Sequence, residues 1–363
     1  MRHRRLDCIL AVRPDGLGDV LLTGPAVRAL AAGGREVSFL AGPAGTEAAA
    51  LLPGVTRVLA EALPWIDPEP AAVERGQIRR LVRAVRRVRP AEALIFTSFH
   101  QSPLPTALVL RMAGVRRISA ISEDYPGSLL DVRHQLTADI PEARRNLSLA
   151  QAAGFRLPPG DPATLALTGP LPDTRSLTGR GPYIVLHPGA SVPARRSSAV
   201  RTAVLITALA DAGYRVMVTG SADERQLAGR DPAGRAHRVD RVVNLCGRTD
   251  LPRLASVLAG ADVVVAPNTG AAHLAAAVGT PVVSLFAPVV SAARWAPYGV
   301  PAVLLGDQSA PCAGSRARAC PVPGHPCLDG IEPSAVVAAV AALTRGAPGG
   351  TAHGQPSAAG AAG

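Results

Sequence analysis

The sequence predicts an α/β protein of two doubly wound parallel-sheet domains that face each other across a cleft. Its 363 residues suit about two domains. In both halves, short runs rich in Val, Ile and Leu alternate with helical stretches, as in parallel sheets covered by helices on both faces. A Pro-, Gly- and Asp-rich segment interrupts this alternation. We therefore expect an N-terminal domain, a linker, a C-terminal domain and a disordered tail, at 1–160, 161–182, 183–345 and 346–363.

The first half opens with a strand, because residues 8–12 form an uninterrupted apolar run. The helix that follows has Pro25 in its first turn, where a missing amide hydrogen costs nothing. Residues 75–88 place apolar side chains at helical spacing with arginines between them. The predicted strands are 8–12, 36–40, 56–59, 93–96 and 117–120, and the predicted helices are 25–32, 43–52, 75–88, 105–113 and 143–153.

The second half repeats the same order of elements. Ligands of such sheets bind beyond the carboxyl ends of the strands, so the cleft between the two domains is the expected active site. The predicted strands are 183–186, 215–219, 242–245, 262–265, 282–286 and 302–305, and the predicted helices are 199–212, 222–229, 251–260, 270–278 and 333–344.

The charge of the chain favours anionic partners. All 38 basic residues are Arg, against 27 Asp and Glu, and the net charge is +11. Nucleic acid, an anionic lipid surface and phosphorylated sugars all fit this balance. An aromatic share of 3% and the absence of a nucleic-acid module signature argue against nucleic acid. The sequence holds no apolar run long enough to span a bilayer, and residues 8–12 are too short for a signal peptide, so we expect a cytoplasmic protein.

Three cysteines cluster near the C-terminus, with a histidine among them. Cys312, Cys320, Cys327 and His325 offer the ligand types of a zinc site. No C-x-x-C pair is present, so a local disulfide or free thiols are favoured over a metal. We expect no metal centre.

Residues 262–286 carry the sharpest functional signal. Two β-branched runs flank a short Ala-rich helix, with Pro267-Asn268-Thr269-Gly270 between the first run and the helix. The free N–H groups of a helix start bind anions, and His273 falls in its first turn. The unit therefore predicts a site for a phosphate or pyrophosphate, although an ordinary βαβ crossover with a satisfied polar turn has the same pattern.

A second motif, residues 13–25, follows the first predicted strand. Gly16 and Gly18 allow a tight turn and a close approach to a ligand. The third glycine of a dinucleotide fingerprint is missing, because Leu21 stands at its position. Asp15 or Asp19, at the carboxyl end of the strand, could act as a general base. The alternative is that Asp19, or Thr23 after it, only caps the next helix.

Two further polar segments follow strands of the second half. After 183–186, His187, Gly189 and Ser191 offer polar and backbone groups, and Arg195 and Arg196 could pair with a diphosphate. A solvated interdomain loop would have the same composition.

After 215–219, Glu224 could accept hydrogen bonds from ribose hydroxyls. Alternatively, its charge only stabilises a helix start.

In the first half, the 75–89 helix holds seven arginines opposite an apolar face. These arginines form a solvated face, or they contact an anionic membrane or an acidic acceptor.

Together these segments resemble the heptosyltransferases of glycosyltransferase family 9, which use ADP-heptose to build the inner core of lipopolysaccharide. The resemblance implies a GT-B architecture of two Rossmann-like domains, with the acceptor on the N-terminal one and the nucleotide sugar on the C-terminal one. It also implies inverting, metal-independent transfer without a cofactor. The segments that carry it are 18–25, 187–191, 268–277 and 327–331.

The resemblance also assigns roles to individual residues. It implies that Asp19 is the catalytic base, that Arg195 contacts the donor phosphates, and that Glu224 lies near the nucleoside. It places Thr269, Gly270 and His273 in the pyrophosphate turn. Two positions depart from the family pattern, because Asn268 stands for an Asp and Arg195 is not followed by the usual aromatic residue but by Arg196 and Ser197.

We therefore expect an inverting, metal-independent glycosyltransferase that moves a sugar from a nucleotide diphosphate to a hydroxyl of a cell-surface glycan or glycolipid. Asp19 would take the proton of that hydroxyl, and the 267–273 turn with Arg195 would stabilise the leaving diphosphate. A catalytically silent nucleotide-sugar-binding protein, a transferase with another donor and acceptor, and a sugar-nucleotide isomerase are the alternatives.

Overall fold

The computed structural model describes residues 8–67, 69–136, 138–228 and 241–345. The first domain is built around a six-stranded, fully parallel sheet in the order β3-β2-β1-β4-β5-β6. Its strands are β1 (Ile9–Arg13), β2 (Val37–Ala41), β3 (Val55–Ala60), β4 (Glu92–Ile95), β5 (Arg117–Ile121) and β6 (Val132–His134).

The second domain has the same topology. Its sheet is also six-stranded and parallel, in the order β12-β11-β10-β7-β8-β9. In each sheet the strand order reverses beside the first strand, and ligand clefts of doubly wound sheets open at that point. The strands are β7 (Ile184–Leu186), β8 (Val216–Val218), β9 (Val242–Asn244), β10 (Val264–Pro267), β11 (Val282–Leu285) and β12 (Ala302–Leu305).

Helices cover both faces of each sheet. None of the described helices is long and apolar enough to span a bilayer. Short 3₁₀ segments lie at Pro43–Gly45, Gly127–Leu129, Pro193–Arg195 and Ala222–Ala228. The α-helices are α1 (Leu17–Leu21), α2 (Gly24–Ala31), α3 (Thr46–Ala50), α4 (Arg75–Val88), α5 (Leu104–Met112), α6 (Glu142–Ala152), α7 (Arg175–Thr178), α8 (Ala199–Asp211), α9 (Leu251–Ala259), α10 (Gly270–Ala277), α11 (Ala292–Trp295), α12 (Pro326–Asp329) and α13 (Pro333–Arg345).

The central strands are buried along their whole length, which explains their continuous apolar runs. One apolar cluster joins the two domains, because it contains Ala11 and Phe39 of the first sheet together with Val264 and Ala272 of the second domain. The helix α4 buries Leu81, Val82 and Val85 and exposes all seven arginines of its sequence segment. The apolar face of this helix is therefore core, as its periodicity predicts.

The structure confirms the α/β prediction of two doubly wound parallel-sheet domains. Some local predictions were wrong. The predicted helix 43–52 is a 3₁₀ turn followed by α3, and the predicted helix 222–229 is 3₁₀. Sequence reasoning missed α1, β6, α7, α11 and α12, which are all too short to show a period. The domain boundaries remain a prediction, and residues 346–363 lie outside the described residues.

Candidate active site

The loops that leave the central strands of both sheets meet in one cleft of about 580 Å³. These loops follow β1 and β4 in the first domain and β7 and β10 in the second. Each loop starts at the carboxyl end of a strand that lies next to the point where the strand order of its sheet reverses. The fold itself therefore explains why polar side chains converge in this cleft. The cleft is lined by Asp15, Gly16, Gly18, Asp19, Ser98, Phe99, His100, Gln101, His187, Ser191, Arg195, Asn268, Thr269, Gly270, His273, Trp295, Arg316 and Arg318, among others.

The two walls of the cleft touch where α1 meets the start of α10. A Cβ atom on Gly18 would lie 2.8 Å from Cδ2 of His273 and 3.3 Å from Cα of Gly270. A Cβ atom on Gly270 would lie 2.5 Å from Cδ2 of Leu17. Only glycine at positions 18 and 270 permits this close approach of the two walls. The approach places Asp19 beside the 267–273 turn.

Asp19 lies inside the short helix α1, not in a loop. Its side chain is 30% exposed, and Oδ1 accepts a hydrogen bond from Arg13 Nη2 at 2.6 Å. It does not cap the following helix, whose N-cap is Thr23. Oδ2 has no hydrogen-bond partner among the described residues, so this partly exposed carboxylate can accept a proton from a hydroxyl in the cleft.

Arg13 was part of the second motif, but sequence reasoning gave it no role. Its side chain is fully buried and faces three carboxylates. Burial alone would lower the pKa of Arg13, but Asp15, Asp19 and Glu142 raise it overall, so the guanidinium stays charged. Burial also raises the pKa of Asp15 and that of Glu142.

The start of α10 forms the opposite wall. Thr269 is its N-cap in extended geometry, and its side chain makes no capping hydrogen bond. The first N–H groups of the helix therefore point toward the cleft without a side-chain acceptor at the cap. His273 is 5% exposed, and its Nδ1 has no hydrogen-bond partner in the described part of the chain. Burial lowers the pKa of His273 to about 4, so the imidazole is neutral at pH 7 and can donate one N–H to an anion.

Asn268 has a structural explanation. Its Nδ2 donates to the Ala287 carbonyl at 3.1 Å, and the Ala287 N–H donates to its Oδ1 at 3.2 Å. The side chain thus joins the end of β10 to the segment after β11. Aspartate could only accept, so this paired contact needs an amide at position 268.

Of the five residues predicted in the loop after β7, His187, Ser191 and Arg195 line the cleft, and Gly189 and Arg196 do not. His187 Nδ1 lies 3.0 Å from Thr219 Oγ1, and burial lowers the pKa of His187 to about 4. Arg195 is half-buried, and its Nε is buried without a partner among the described residues. Burial lowers its pKa, although nearby Asp19 opposes the shift. Arg195 is therefore poised for an anionic ligand, whereas Arg196 is exposed and lies outside the cleft lining.

Glu224 packs against the backbone of two glycines. A Cβ atom on Gly189 would lie 2.3 Å from Glu224 Oε1, and one on Gly220 would lie 2.5 Å from Oε2. Oε2 also accepts the N–H of Ser221 at 2.8 Å. Gly189 is thus needed to admit this carboxylate, which stands behind the loop after β7 rather than in the cleft lining.

The loop expected on the acceptor side contains Gly16, Gly18 and Thr23, and these residues differ in placement. Gly16 is the N-cap of α1 and lines the cleft together with Gly18. Thr23 is fully buried, and its hydroxyl donates to the Val20 carbonyl at 2.6 Å. The structure therefore brings Gly16 and Gly18 into the cleft but not Thr23.

Sequence reasoning missed several cleft residues. Residues 98–101 lie in the loop after β4, which ends at Ile95, so the rule that ligands bind at the carboxyl ends of strands could have found them. Trp295 ends the four-residue helix α11, and Arg316 and Arg318 come from irregular segments, none of which carries such a signal. The Phe99 ring lies 5.8 Å from that of Trp295 and 5.5 Å from the Arg316 guanidinium.

The C-terminal cysteines do not form a metal set in the described residues. No group of three or more His, Cys, Asp or Glu side chains there is placed to hold a metal ion. All five cysteines are free thiols. His325 Nε2 lies 3.1 Å from the Ala194 carbonyl instead.

Comparison with known proteins gives a consistent result. The sequence model of glycosyltransferase family 9 (heptosyltransferase) matches residues 79–325. Lipopolysaccharide heptosyltransferase 1 of Pseudomonas aeruginosa is 29% identical over 329 residues, which cover 86% of this chain and 87% of that protein. Lipopolysaccharide heptosyltransferase 2 of Escherichia coli is 27% identical over 77% of this chain and 82% of its own length.

The fold agrees with these matches. The structure of E. coli ADP-heptose lipopolysaccharide heptosyltransferase II superposes with a TM-score of 0.71 at 23% identity, over 93% of this chain and 98% of that one. E. coli heptosyltransferase WaaC with ADP superposes with a TM-score of 0.64 at 20% identity, over 85% and 97%. The architecture is therefore GT-B, with two Rossmann-like domains. The chain belongs to glycosyltransferase family 9, the heptosyltransferase family, and is a glycosyltransferase.

Proposed function

We propose that the protein transfers a heptose from ADP-heptose to a hydroxyl of a lipopolysaccharide-type glycolipid, with inversion at the anomeric carbon and without a metal or cofactor. The observation that carries this proposal is the contact between α1 and α10, which puts Asp19 beside a helix start suited to a diphosphate. The relatives support the sugar and the acceptor, since they are named as lipopolysaccharide heptosyltransferases.

In the proposed reaction, Asp19 accepts the proton of the acceptor hydroxyl. The oxygen attacks the anomeric carbon on the face opposite the diphosphate, the bond from that carbon to the diphosphate oxygen breaks, and ADP leaves. One base and a stabilised leaving group suffice for inversion. The N–H groups that start α10, the neutral His273 and Arg195 face the growing negative charge.

A transfer assay tests the proposal. The purified chain is incubated with ADP-heptose and heptose-deficient lipopolysaccharide, with and without a chelator, and the anomeric configuration of the product is determined. We expect ADP release that depends on the acceptor, an inverted linkage and no effect of the chelator. ADP release without acceptor would indicate a hydrolase, and conversion of the donor into another ADP-sugar without acceptor would indicate a sugar-nucleotide isomerase. A thermal shift that is larger with UDP or GDP than with ADP would contradict the proposed donor.

We further propose that the arginines of α4 hold the enzyme on an anionic membrane surface. All seven are exposed, and none of them pairs with a carboxylate within the described residues. Four of them and Arg57 line an open groove of about 1070 Å³ at the amino ends of β1, β2 and β4. The four are Arg83, Arg86, Arg87 and Arg89.

Vesicle sedimentation tests this second point. Replacing Arg83, Arg86 and Arg87 by Gln should weaken binding to phosphatidylglycerol vesicles about 100-fold, at about 1 kcal/mol per arginine near such a surface. The control replaces three exposed arginines elsewhere, Arg116, Arg156 and Arg248, with the same change in net charge. Equal losses in the two triple variants would contradict a role for this face.

A further inference from the structure

Arg13, at the end of β1, is one of the largest fully buried side chains of the structure. A buried guanidinium is stable only where carboxylates and hydrogen-bond acceptors surround it. Each of its nitrogens faces a different group. Nε lies 2.7 Å from Asp15 Oδ2, Nη2 lies 2.6 Å from Asp19 Oδ1, and Nη1 lies 3.9 Å from Glu142 Oε2.

Of these three carboxylates, the one on Asp19 is the most exposed. The exposed fractions of the side chains are 30% for Asp19, 12% for Asp15 and 0% for Glu142. Arg13 is also the only hydrogen-bond partner of the Asp19 carboxylate within the described residues, and it holds Oδ1 alone. The contact therefore fixes the direction of the carboxylate and leaves Oδ2 for a substrate.

A closed ring of contacts fixes the plane of the guanidinium. Arg13 Nη2 donates to Ser98 Oγ at 2.9 Å. The Ser98 N–H donates to Gln101 Oε1 at 2.9 Å, and Gln101 Nε2 donates to Asp15 Oδ1 at 2.7 Å. Asp15 returns to Arg13 through the Nε contact. The ring joins the loops after β1 and β4, so Arg13 cannot rotate without breaking several contacts.

The third carboxylate that faces the Arg13 guanidinium is that of Glu142. It is fully buried at the start of α6 and lies 3.6 Å from Arg145 and 3.9 Å from Arg294, as well as near Arg13. Arg294 belongs to the second domain, so this part of the network forms only when the domains are docked as they are here. Glu142, which faces the guanidinium that holds Asp19, is thus also contacted by the second domain.

We propose that Arg13 is a positioning residue that orients Asp19 for proton transfer, and that Ser98 and Glu142 hold Arg13 in place. This inference rests on the proposed function, in which Asp19 is the base. Lysine at position 13 keeps the charge but offers a single ammonium, which cannot meet Asp15, Asp19 and Glu142 at three separate nitrogens. With lysine at position 13, the orientation of the Asp19 carboxylate should be lost while the positive charge at position 13 remains.

The test is Arg13→Lys, with Arg28→Lys as the matched control. Arg28 is a half-buried arginine of the same domain with a two-point contact to Asp161, at 2.6 and 2.8 Å, and it is not part of the cleft lining. With ADP-heptose and heptose-deficient lipopolysaccharide, Arg13→Lys should lower kcat on the order of 100-fold, the cost of misplacing a reacting group. ADP affinity by calorimetry should stay at the wild-type value in both variants, and Arg28→Lys should keep wild-type kcat.

Crystal structures give a second readout that does not depend on turnover. The Asp19 carboxylate should leave its wild-type rotamer in Arg13→Lys and keep it in Arg28→Lys. An unchanged rotamer or an unchanged kcat in Arg13→Lys overturns the inference, whereas a wild-type enzyme without any transfer overturns the proposed function. If Arg13→Lys does not fold, Ser98→Ala removes a single contact of the same ring, the one between Ser98 Oγ and Arg13. A fall in kcat with unchanged ADP affinity would then support the inference, and wild-type kcat would overturn it.

Discussion

Gly18 of α1 and His273 of α10 lie so close that a Cβ atom on Gly18 would be 2.8 Å from Cδ2 of the imidazole. One residue belongs to the first domain and the other to the second. Asp19 follows Gly18 directly, so this contact sets the distance between the proposed base and the proposed diphosphate site. The two walls can thus approach this closely because residue 18 has no side chain.

Gly18→Ala should therefore lower kcat/KM about 10- to 100-fold, because the added methyl group forces the walls apart and misaligns the reacting groups. Steady-state kinetics measure the effect. The control is Gly76→Ala, which is also the second residue of a helix and whose Cβ would lie 3.6 Å from the flexible end of Arg80. Equal kinetics for Gly18→Ala and the control would show that the contact does not matter.

The amide of Asn268 should be required for stability. Asn268→Asp removes the donor to the Ala287 carbonyl and buries a carboxylate beside that oxygen, which should lower the free energy of unfolding by about 1–3 kcal/mol. Chemical denaturation measures this change. Asn244 also pairs with two backbone groups, Arg225 O and Cys246 N, but is half-buried. Asn244→Asp should therefore cost less, and an equal or larger cost would contradict the explanation.

The two carboxylates that meet Arg294 should differ in importance. Asp139 is 47% exposed, and an exposed pair contributes about 0–1 kcal/mol, so Asp139→Asn should change the free energy of unfolding little. Glu142 is fully buried among three guanidinium groups, so Glu142→Gln should cost about 3–5 kcal/mol. Denaturant titrations of both variants compare them, and equal losses would mean that burial does not control this network.

His273 should make the protein less stable in mild acid. Its pKa in the folded protein is about 4, below the ordinary value of 6.5, so the unfolded chain binds more protons between these two pH values. The free energy of unfolding contributed by this group therefore falls as the pH falls from 6.5 toward 4. Between pH 7 and pH 5 the loss should be about 2 kcal/mol smaller in His273→Gln than in the wild type. Identical losses in both proteins would mean that the imidazole is not held neutral.

The sequence predicts the long or fully buried elements well. The helix α4 was predicted with its observed bounds because its apolar and arginine positions follow a helical period. The strand β12 was also predicted with its observed bounds, although it is short and partly exposed. The helix α1 was missed because five residues show no period, although it carries Asp19.

The same limit applies to the cleft. The residues that end β1, β7 and β10 could be placed there in advance, since the carboxyl ends of parallel strands share one edge. Trp295, Arg316 and Arg318 could not, because their positions depend on how distant segments fold over that edge.

Asp19 takes the proton in the proposed reaction, and the family match at residues 79–325 does not include this residue. The most direct measurement is single-turnover transfer by Asp19→Asn with ADP-heptose and heptose-deficient lipopolysaccharide, together with the affinity for ADP-heptose. We predict a rate loss on the order of 100- to 10,000-fold with wild-type donor affinity. Near-wild-type turnover by this variant would show that Asp19 is not the base.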